Sequence, residues 1–190
     1  MRRKTVTIRM FCPEIIPSIK RGGVAVIPTD TLYGIVARAD NSAAVERVYN
    51  IRGRDPKKPM IVLIAEKNNL KVFNISLSSA QNKFLDQVWP GKVSVVLSCA
   101  DKKWKHLHRG GGTIAFRVPD HAPLRAFLKE TGPLIAPSAN PEGLPPAKTI
   151  EEVRAYFGDR IDAYCDGGVL SGPPSSVVSL VEEEPKILRP

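Results

Sequence analysis

Apolar residues recur along this chain in two alternating patterns. Short continuous apolar runs predict buried strands, and segments with apolar residues three and four positions apart predict helices that cover them. The predicted strands are Thr5–Arg9, Val24–Pro28, Met60–Ala65, Lys92–Cys99, Thr113–Val118, Leu134–Ala136, Ile161–Cys165, Ser176–Val181 and Lys186–Leu188. The predicted helices are Pro13–Arg21, Ser42–Ile51, Ser78–Trp89, His121–Thr131 and Thr149–Phe157.

Start and stop signals support several of these boundaries. Ser42 is the predicted N-cap of its helix, and Thr149 with Glu152 forms a predicted capping box. Strands alternate with helices over most of the chain, while the last third holds more strand than helix. The sequence therefore predicts an α/β fold in one domain, residues 1–190, with a mixed β-sheet flanked by helices.

Composition narrows the class of protein. A hydrophobic fraction of 43% and a charged fraction of 25% over 190 residues are ordinary for a globular domain and exclude a collagen, a coiled-coil rod or a disordered chain. We expect a soluble cytoplasmic protein, because no apolar run reaches the roughly 20 residues of a membrane span and no secretory signal begins the chain. Cys12, Cys99 and Cys165 form no CxxC pair, so we expect reduced, buried thiols.

The net charge is +9, from 28 Lys+Arg and 19 Asp+Glu. This excess is typical of a protein with a polyanionic partner, and it also fits a generic solubility charge. Composition does not choose between a groove for RNA and a pocket for a triphosphate. The chain has no GxxxxGK[ST], GxGxxG, GxSxG or HExxH motif, which excludes the common nucleotide loops, the hydrolase elbow and the zincin helix.

Polar loops after the predicted strands are candidate sites, because ligands of open α/β sheets lie beyond the strand ends. Pro28–Gly34 (PTDTLYG) and Ala136–Pro141 (APSANP) each carry hydrogen-bonding side chains out of the core. Each is either a capped turn or part of a polar pocket. Arg117 is a lone charge in an otherwise apolar strand. It is either exposed or paired with a carboxylate, which a substrate could supply.

Two further segments are rich in cations. Arg52–Pro59 (RGRDPKKP) is either a solvated loop or a phosphate clamp. Lys102–Gly112 is expected to be a mobile exposed loop, with stacking of Trp104 on an RNA base as the alternative. His106 and His108 lie in the same loop without a third metal ligand nearby, so they are a weak metal site.

The ordered set of motifs resembles the YrdC-type threonylcarbamoyl-AMP synthases. PTDTLYG, RGR with KKPMIVLI, WPGKVSVVL, TIAFRVPDH and APSAN follow one another, and DGG, PSSVV and the terminal ILRP come after them. The resemblance covers Gly22 to Pro190, in the short single-domain form. It implies a twisted sheet around a large basic concave cavity. It implies a nucleotidyltransferase that condenses L-threonine, bicarbonate and ATP, with Mg²⁺, to threonylcarbamoyl-AMP and pyrophosphate.

The product would pass to a separate transferase complex that makes N6-threonylcarbamoyladenosine in tRNA. The resemblance assigns catalysis to Arg52, Arg54, Ser138 and Asn140, where arginine stands at the first position in place of the family's lysine. It assigns threonine binding to Thr29 and Arg117, the latter through the threonine carboxylate. It assigns the ATP site to Arg54, Thr113, Ser138, Asn140, Ser176 and Arg189. It identifies no protein ligand of Mg²⁺. Lys102–Gly112 and the C-terminal tail are the candidate lids.

Two alternatives stay open on the sequence. One is a YrdC-like paralogue that binds a nucleotide or structured RNA without synthase activity, which the charge and Arg52 favour. The other is a carbamoyl-adenylate maker for a different acceptor, like related domains in hydrogenase-maturation proteins, although those domains belong to much longer chains. The basic charge also leaves direct contact with tRNA open.

Overall fold

The computed structural model describes residues 13–182 and 184–190; the predicted strand Thr5–Arg9 and Cys12 lie outside them. The strands are β1 (Ala25–Pro28), β2 (Tyr33–Arg38), β3 (Val62–Leu63), β4 (Val93–Ser98), β5 (Thr113–Arg117), β6 (Leu134–Ile135), β7 (Ala163–Tyr164), β8 (Ser176–Ser179) and β9 (Lys186–Arg189). The α-helices are α1 (Ile15–Lys20), α2 (Ser42–Arg52), α3 (Ser79–Val88), α4 (Lys105–His108), α5 (Ala122–Thr131) and α6 (Ile150–Phe157). Lys67–Phe73, Lys102–Trp104 and Gly158–Arg160 are 3₁₀ helices.

The nine strands of the described residues form one mixed sheet in the order β7-β1-β2-β6-β3-β5-β4-β8-β9. The pairs β1–β7, β3–β5 and β4–β8 are parallel, and the remaining neighbours are antiparallel. The predicted mixed α/β sheet is therefore confirmed. Within the described ranges, no helix is long and apolar enough to cross a membrane.

Helices cover the two faces of the sheet unevenly. On one face, α2, α4 and α6 bury residues such as Val45, Leu107 and Phe157 against the strands. On the other face, α1 and α5 bury residues such as Ile19 and Phe127. The apolar cluster of this second face reaches β1, β2, β3, β6 and β7 but includes no described residue of β4, β5, β8 or β9. Among the described residues, α1 and α5 therefore do not extend this apolar cluster over β5, β4, β8 and β9.

Two helix starts differ from the sequence prediction. Asn41 caps α2 instead of Ser42, and its side chain accepts a backbone N–H of the first turn at 3.0 Å. Adjacent Asn and Ser are equally good caps, so local sequence does not separate them. Thr149 caps α6 as predicted, but the Glu152 carboxylate accepts the N–H of Lys148 at 2.7 Å and does not close the capping box.

The segment Lys102–Gly112, expected to be mobile and exposed, is packed. Its 3₁₀ turn runs directly into α4, and the Trp104 side chain is only 1% exposed. Trp104 packs against Phe73 with ring centroids 4.6 Å apart. A large aromatic surface is most stabilising when buried, so the ring points inward while the neighbouring lysines face solvent. The expectation of an exposed loop is therefore wrong, and so is the alternative in which Trp104 stacks on a base.

The histidines of this segment are also used by the fold. His106 Nε2 lies 2.8 Å from the Ala39 carbonyl oxygen. His108 Nδ1 accepts the N–H of Gly110 at 3.1 Å, which organises the glycine turn before β5. No group of three His, Cys, Asp or Glu side chains suited to a metal occurs in the described part of the chain.

Candidate active site

A cavity of about 240 Å³ lies where five segments of the fold converge. They are the turn after β1, the loop after α2, the end of β5, the loop after β6, and Pro174–Ser175 with the C-terminal strand. Of the predicted site residues, it is lined by Thr29, Arg52, Arg54, Arg117, Ser138 and Arg189. Four of these are arginines, and no carboxylate side chain of the described residues lines the cavity with them. The cavity is therefore suited to an anionic ligand.

The turn between β1 and β2 is built on Thr29. Its Oγ1 accepts the N–H groups of Thr31 and Leu32, each at 3.2 Å, and donates to the Leu32 carbonyl at 2.6 Å. This is the capped turn that the sequence left open, and it also borders the cavity. Because the hydroxyl satisfies the turn's own backbone, Thr29 and Thr31 are held in a fixed position at the cavity wall.

Arg52, the last residue of α2, is buried without a carboxylate partner. It is 4% exposed, and its Nε donates to the Asn140 carbonyl oxygen at 2.8 Å. Its Nη1 is buried with no hydrogen-bond partner among the described residues. Burial, followed by repulsion from Arg54, lowers the pKa of Arg52 to about 10. An unpartnered buried guanidinium nitrogen at the cavity wall is a ready donor for an anion.

Arg117, at the end of β5, is equally buried but paired. Its Nη1 donates to both carboxylate oxygens of Asp30, at 2.8 and 2.9 Å, and each side chain is only 5% exposed. Its Nε is buried without a hydrogen-bond partner in the described ranges. Burial lowers the pKa of Arg117, and Asp30 opposes that shift. The carboxylate that the lone charge requires is thus supplied by the PTDTLYG turn.

The loop after α2 is tied down by several contacts. Arg54 donates to the carbonyls of Lys58 and Pro59, both at 3.1 Å. The Tyr49 hydroxyl donates to Lys58 O at 3.0 Å, and Arg109 Nε donates to Pro56 O at 2.6 Å. These bonds give the cationic loop a defined shape, as a phosphate clamp requires.

Three predicted site residues lie outside the cavity lining. The Asn140 amide donates to two carbonyls of its own loop, at 2.9 and 2.7 Å. Thr113 begins β5, and the four residues from there to Arg117 span about 13 Å of strand. Ser176 pairs with Val93, a residue packed on the α2 side of the sheet, and its hydroxyl contacts the Lys92 carbonyl at 3.4 Å.

Ser175 lines the cavity where the sequence predicted Ser176. Its hydroxyl lies 2.9 Å from that of Ser94, and both residues are buried. Its carbonyl accepts a hydrogen bond from Arg189 Nη2 at 2.7 Å, which holds Arg189 against the cavity. The PSSVV motif pointed to a serine here, but only the strand register selects which one.

Comparisons with known proteins agree with this architecture. The sequence profile of the Sua5, YciO and YrdC family, described as "Telomere recombination", matches residues 18–190. The chain is 33% identical over 179 residues to a protein of Thiobacillus denitrificans named threonylcarbamoyl-AMP synthase, covering 93% of this chain and 94% of that one. It is 34% identical over 175 residues to the Bacillus subtilis protein of the same name, covering 90% of this chain and 51% of that one.

A solved structure supports the same comparison. Sua5 of Pyrococcus abyssi complexed with L-threonine superposes with a TM-score of 0.85 at 30% identity. The match covers 92% of this chain and 52% of that chain. The chain therefore spans about half the length of this structure and of the B. subtilis relative.

Proposed function

The chain belongs to the Sua5, YciO and YrdC family, and on that premise we propose that it is an L-threonylcarbamoyladenylate synthase. The reaction joins L-threonine, bicarbonate and ATP to threonylcarbamoyl-AMP and releases pyrophosphate. The observation that carries the proposal is the pair of buried arginines, Arg52 and Arg117. Each has a guanidinium nitrogen with no hydrogen-bond partner among the described residues, and both line one cavity. Every substrate of the reaction is an anion or carries a carboxylate, which such a cavity is suited to bind.

The chemistry needs no protein nucleophile. The threonine amine attacks the bicarbonate carbon, water leaves, and a carbamate forms. A carbamate oxygen then attacks the α-phosphorus of ATP as the bond to pyrophosphate breaks. Repulsion between the anionic partners is a large part of the barrier, so fixed cations that hold them in line lower it.

Different segments of the cavity bind the two larger substrates, threonine and ATP. Arg117 and Thr29 take the threonine, with the free Nε of Arg117 directed to its carboxylate. Arg52, Arg54, Ser138 and Arg189 take the ATP phosphates. Asn140, whose carbonyl receives Arg52 Nε, acts by holding that arginine. Thr113 and Ser176 are left without a contact role in this proposal, because neither lines the cavity.

Mg²⁺ enters as part of the substrate. Asp30, the carboxylate that forms an ion pair with a cavity arginine among the described residues, is committed to Arg117. We infer that the ATP phosphates supply most of the ligands and that the protein binds the complex MgATP.

A second surface supports direct contact with RNA. One shallow groove is lined by Lys57, Lys102, Lys103 and Lys105, together with Arg109 and Glu46, which form an ion pair with each other. All four lysines are exposed, and none lies within ion-pair distance of a carboxylate of the described residues. With Trp104 buried, this groove offers phosphate contacts and no base stacking. It would meet the tRNA that the downstream transferase complex modifies.

The test of the synthase is pyrophosphate release from MgATP, measured with and without threonine and with and without bicarbonate. We expect release that requires both. Nucleotide binding without release would contradict the proposal and favour the paralogue. The groove is tested separately by tRNA binding at several salt concentrations, where Lys102→Ala with Lys105→Ala should weaken binding and flatten the salt slope by about two. Unchanged tRNA binding by that variant would overturn the RNA contact alone.

A further inference from the structure

Glu142 joins two loops through three contacts. One is the loop after β6 that carries Ser138 and Asn140, here called the Ser-x-Asn loop, and the other is the loop after α2, residues 53–59. Its backbone N–H donates to the Arg52 carbonyl at 2.8 Å. One carboxylate oxygen accepts the N–H of Asp55 at 2.6 Å, and the other accepts Lys58 Nζ at 2.5 Å. Arg54 lies inside the stretch that these contacts bracket. A single residue outside the cavity lining thus fixes both ends of the loop that carries two of the cavity's arginines.

The Arg52 contact matters because α2 ends there. The last carbonyls of a helix lack partners within the helix, and the next residue, Gly53, turns the chain in a left-handed conformation with φ of 59°. The backbone N–H of Glu142 donates to the Arg52 carbonyl, and its carboxylate accepts the N–H of Asp55, which follows Arg54 in the chain. The direction in which the chain leaves α2 is therefore set from the Ser-x-Asn loop.

Charge reinforces this arrangement. Lys58 and the Asp55 N–H lower the pKa of the Glu142 carboxyl, so that it is ionised at neutral pH. Its negative charge also favours the charged form of the buried Arg52 guanidinium, which has no carboxylate of its own. Glu142 thus acts on Arg52 both through the backbone and through its field.

We propose that Glu142 is a positioning residue that holds Arg52 and Arg54 in the geometry needed to bind the ATP phosphates. The inference rests on the proposed function in assigning the ligand, and on the contacts alone in assigning the hold on the loop. Residues that orient a ligand-binding group from behind commonly change affinity or activity by ten- to a hundredfold when removed.

The chain offers a matched control in Glu152. Its carboxylate also accepts one backbone N–H of an exposed loop, that of Lys148 at 2.7 Å. Neither Glu152 nor Lys148 lines the cavity. Loss of this contact should loosen a neighbouring loop without moving the arginines, so Glu152→Ala separates positioning from general loosening.

The experiment compares the wild type with Glu142→Ala, Glu142→Gln and Glu152→Ala. Amide hydrogen exchange of residues 53–59 should rise about tenfold in Glu142→Ala and stay unchanged in Glu152→Ala. The Kd for MgATP should rise about tenfold in Glu142→Ala while the threonine KM changes less than about twofold. Glu142→Gln should fall between, because an amide oxygen still accepts from Asp55 but no longer attracts Lys58.

The outcomes separate the two proposals. Unchanged exchange in Glu142→Ala, or an equal rise in Glu152→Ala, would overturn the positioning role. Faster exchange with unchanged MgATP affinity would overturn the link from loop to ligand. A wild type that releases no pyrophosphate would sink the synthase proposal, while faster exchange confined to Glu142→Ala would still support the hold on the loop.

Discussion

Arg52 and Arg117 are buried to nearly the same degree at one cavity, but the groups that contact their guanidinium charges differ. Arg117 has the Asp30 carboxylate against its Nη1. Within the described part of the chain, the Arg52 guanidinium donates only to the backbone carbonyl and side-chain amide oxygens of Asn140, the nearer at 2.8 Å. Moving a cation out of water is costly unless an anion or several acceptors replace the water. In the free protein, the charge of Arg117 is therefore paired directly with a carboxylate, whereas that of Arg52 is favoured only by the more distant Glu142.

The difference shows what each side can contribute to binding. Burial of Arg52 without a paired anion destabilises the free protein. A bound phosphate would remove this destabilisation and would therefore bind more tightly. A carboxylate at Arg117 must share the guanidinium with Asp30, and only the Nε side is free for it. Asp30 therefore keeps the Arg117 side chain oriented before the ligand binds, but its negative charge weakens the attraction between Arg117 and a ligand carboxylate.

The largest expected effect is the loss of activity when the Arg52 charge, which has no paired carboxylate, is removed. Arg52→Gln is expected to lower threonine-dependent pyrophosphate release by about a hundredfold or more, because a fixed cation near the ATP phosphates is lost during transfer of the adenylyl group. The same change removes a buried unpaired charge, so the melting temperature should stay the same or rise. Both quantities are measured on one preparation, by coupled pyrophosphate assay and by thermal unfolding.

Arg52→Lys is the control for this change. It keeps the charge and restores the residue type that the family resemblance places here, so activity should remain well above that of the glutamine variant. A glutamine variant that is as active as the wild type, or that unfolds at a much lower temperature, would break the contrast with Arg117.

Removing Arg117 should affect binding and stability together. Arg117→Ala is expected to raise the threonine KM by about ten- to a hundredfold, because the carboxylate contact is lost. It should also destabilise the fold by about 3 kcal/mol, since Asp30 is left as a buried unpaired charge. The measurements are threonine titration of pyrophosphate release and urea denaturation.

Asp30→Asn in the Arg117→Ala background separates these two effects. The double variant should recover most of the lost stability while the threonine KM stays high. An unchanged threonine KM in Arg117→Ala would contradict the assigned contact, and a double variant no more stable than the single one would contradict the uncompensated Asp30 charge.

The same two arginines show how far sequence reasoning reaches. The pattern of apolar runs predicts the mixed sheet, and the ordered motifs identify the family; both are confirmed. The motifs also single out six residues that meet at one cavity, because each lies at the end of a strand or helix or in the loop that follows it. That Arg117 pairs with Asp30, however, joins positions 87 residues apart, and no local pattern encodes such a contact.

Register and packing account for the other differences. Ser175 and Ser176 are identical in type, and only the pairing of β8 with β4 decides which one lines the cavity. Trp104 among lysines fits an exposed stacking residue as well as a core residue with solvated neighbours. The competition is settled by Phe73, which is distant in sequence and packs against the ring.

A smaller effect should come from the neutral part of the cavity wall. Ser175→Ala removes the hydroxyl that lies 2.9 Å from Ser94, leaving one buried hydroxyl with a lost partner. A neutral hydrogen bond contributes about 1 kcal/mol to stability, so the free energy of unfolding should fall by about that amount, while the Kd for MgATP changes far less than for Arg52→Gln. Ser176→Ala is the matched control and should lower the free energy of unfolding less, because its hydroxyl makes only a long, exposed contact of 3.4 Å. A larger effect from Ser176→Ala would reverse the assignment that the strand register makes.

The smallest expected effect comes from the exposed ion pair between Lys58 and Glu142. Lys58→Met removes the ion pair with Glu142 but leaves the bond from the Asp55 N–H to that carboxylate. Lys58 is 56% exposed at its side chain, and exposed pairs contribute little and are screened by salt. The Kd for MgATP should therefore rise by about twofold or less at low salt, and the difference from wild type should vanish near 0.5 M salt, about 4 Å in screening length. The stability loss of Arg117→Ala should persist at that salt, because its pair with Asp30 is buried. If Lys58→Met instead equals Glu142→Ala and resists salt, the lysine, and not the bond to the Asp55 backbone, holds the Arg52 side in place.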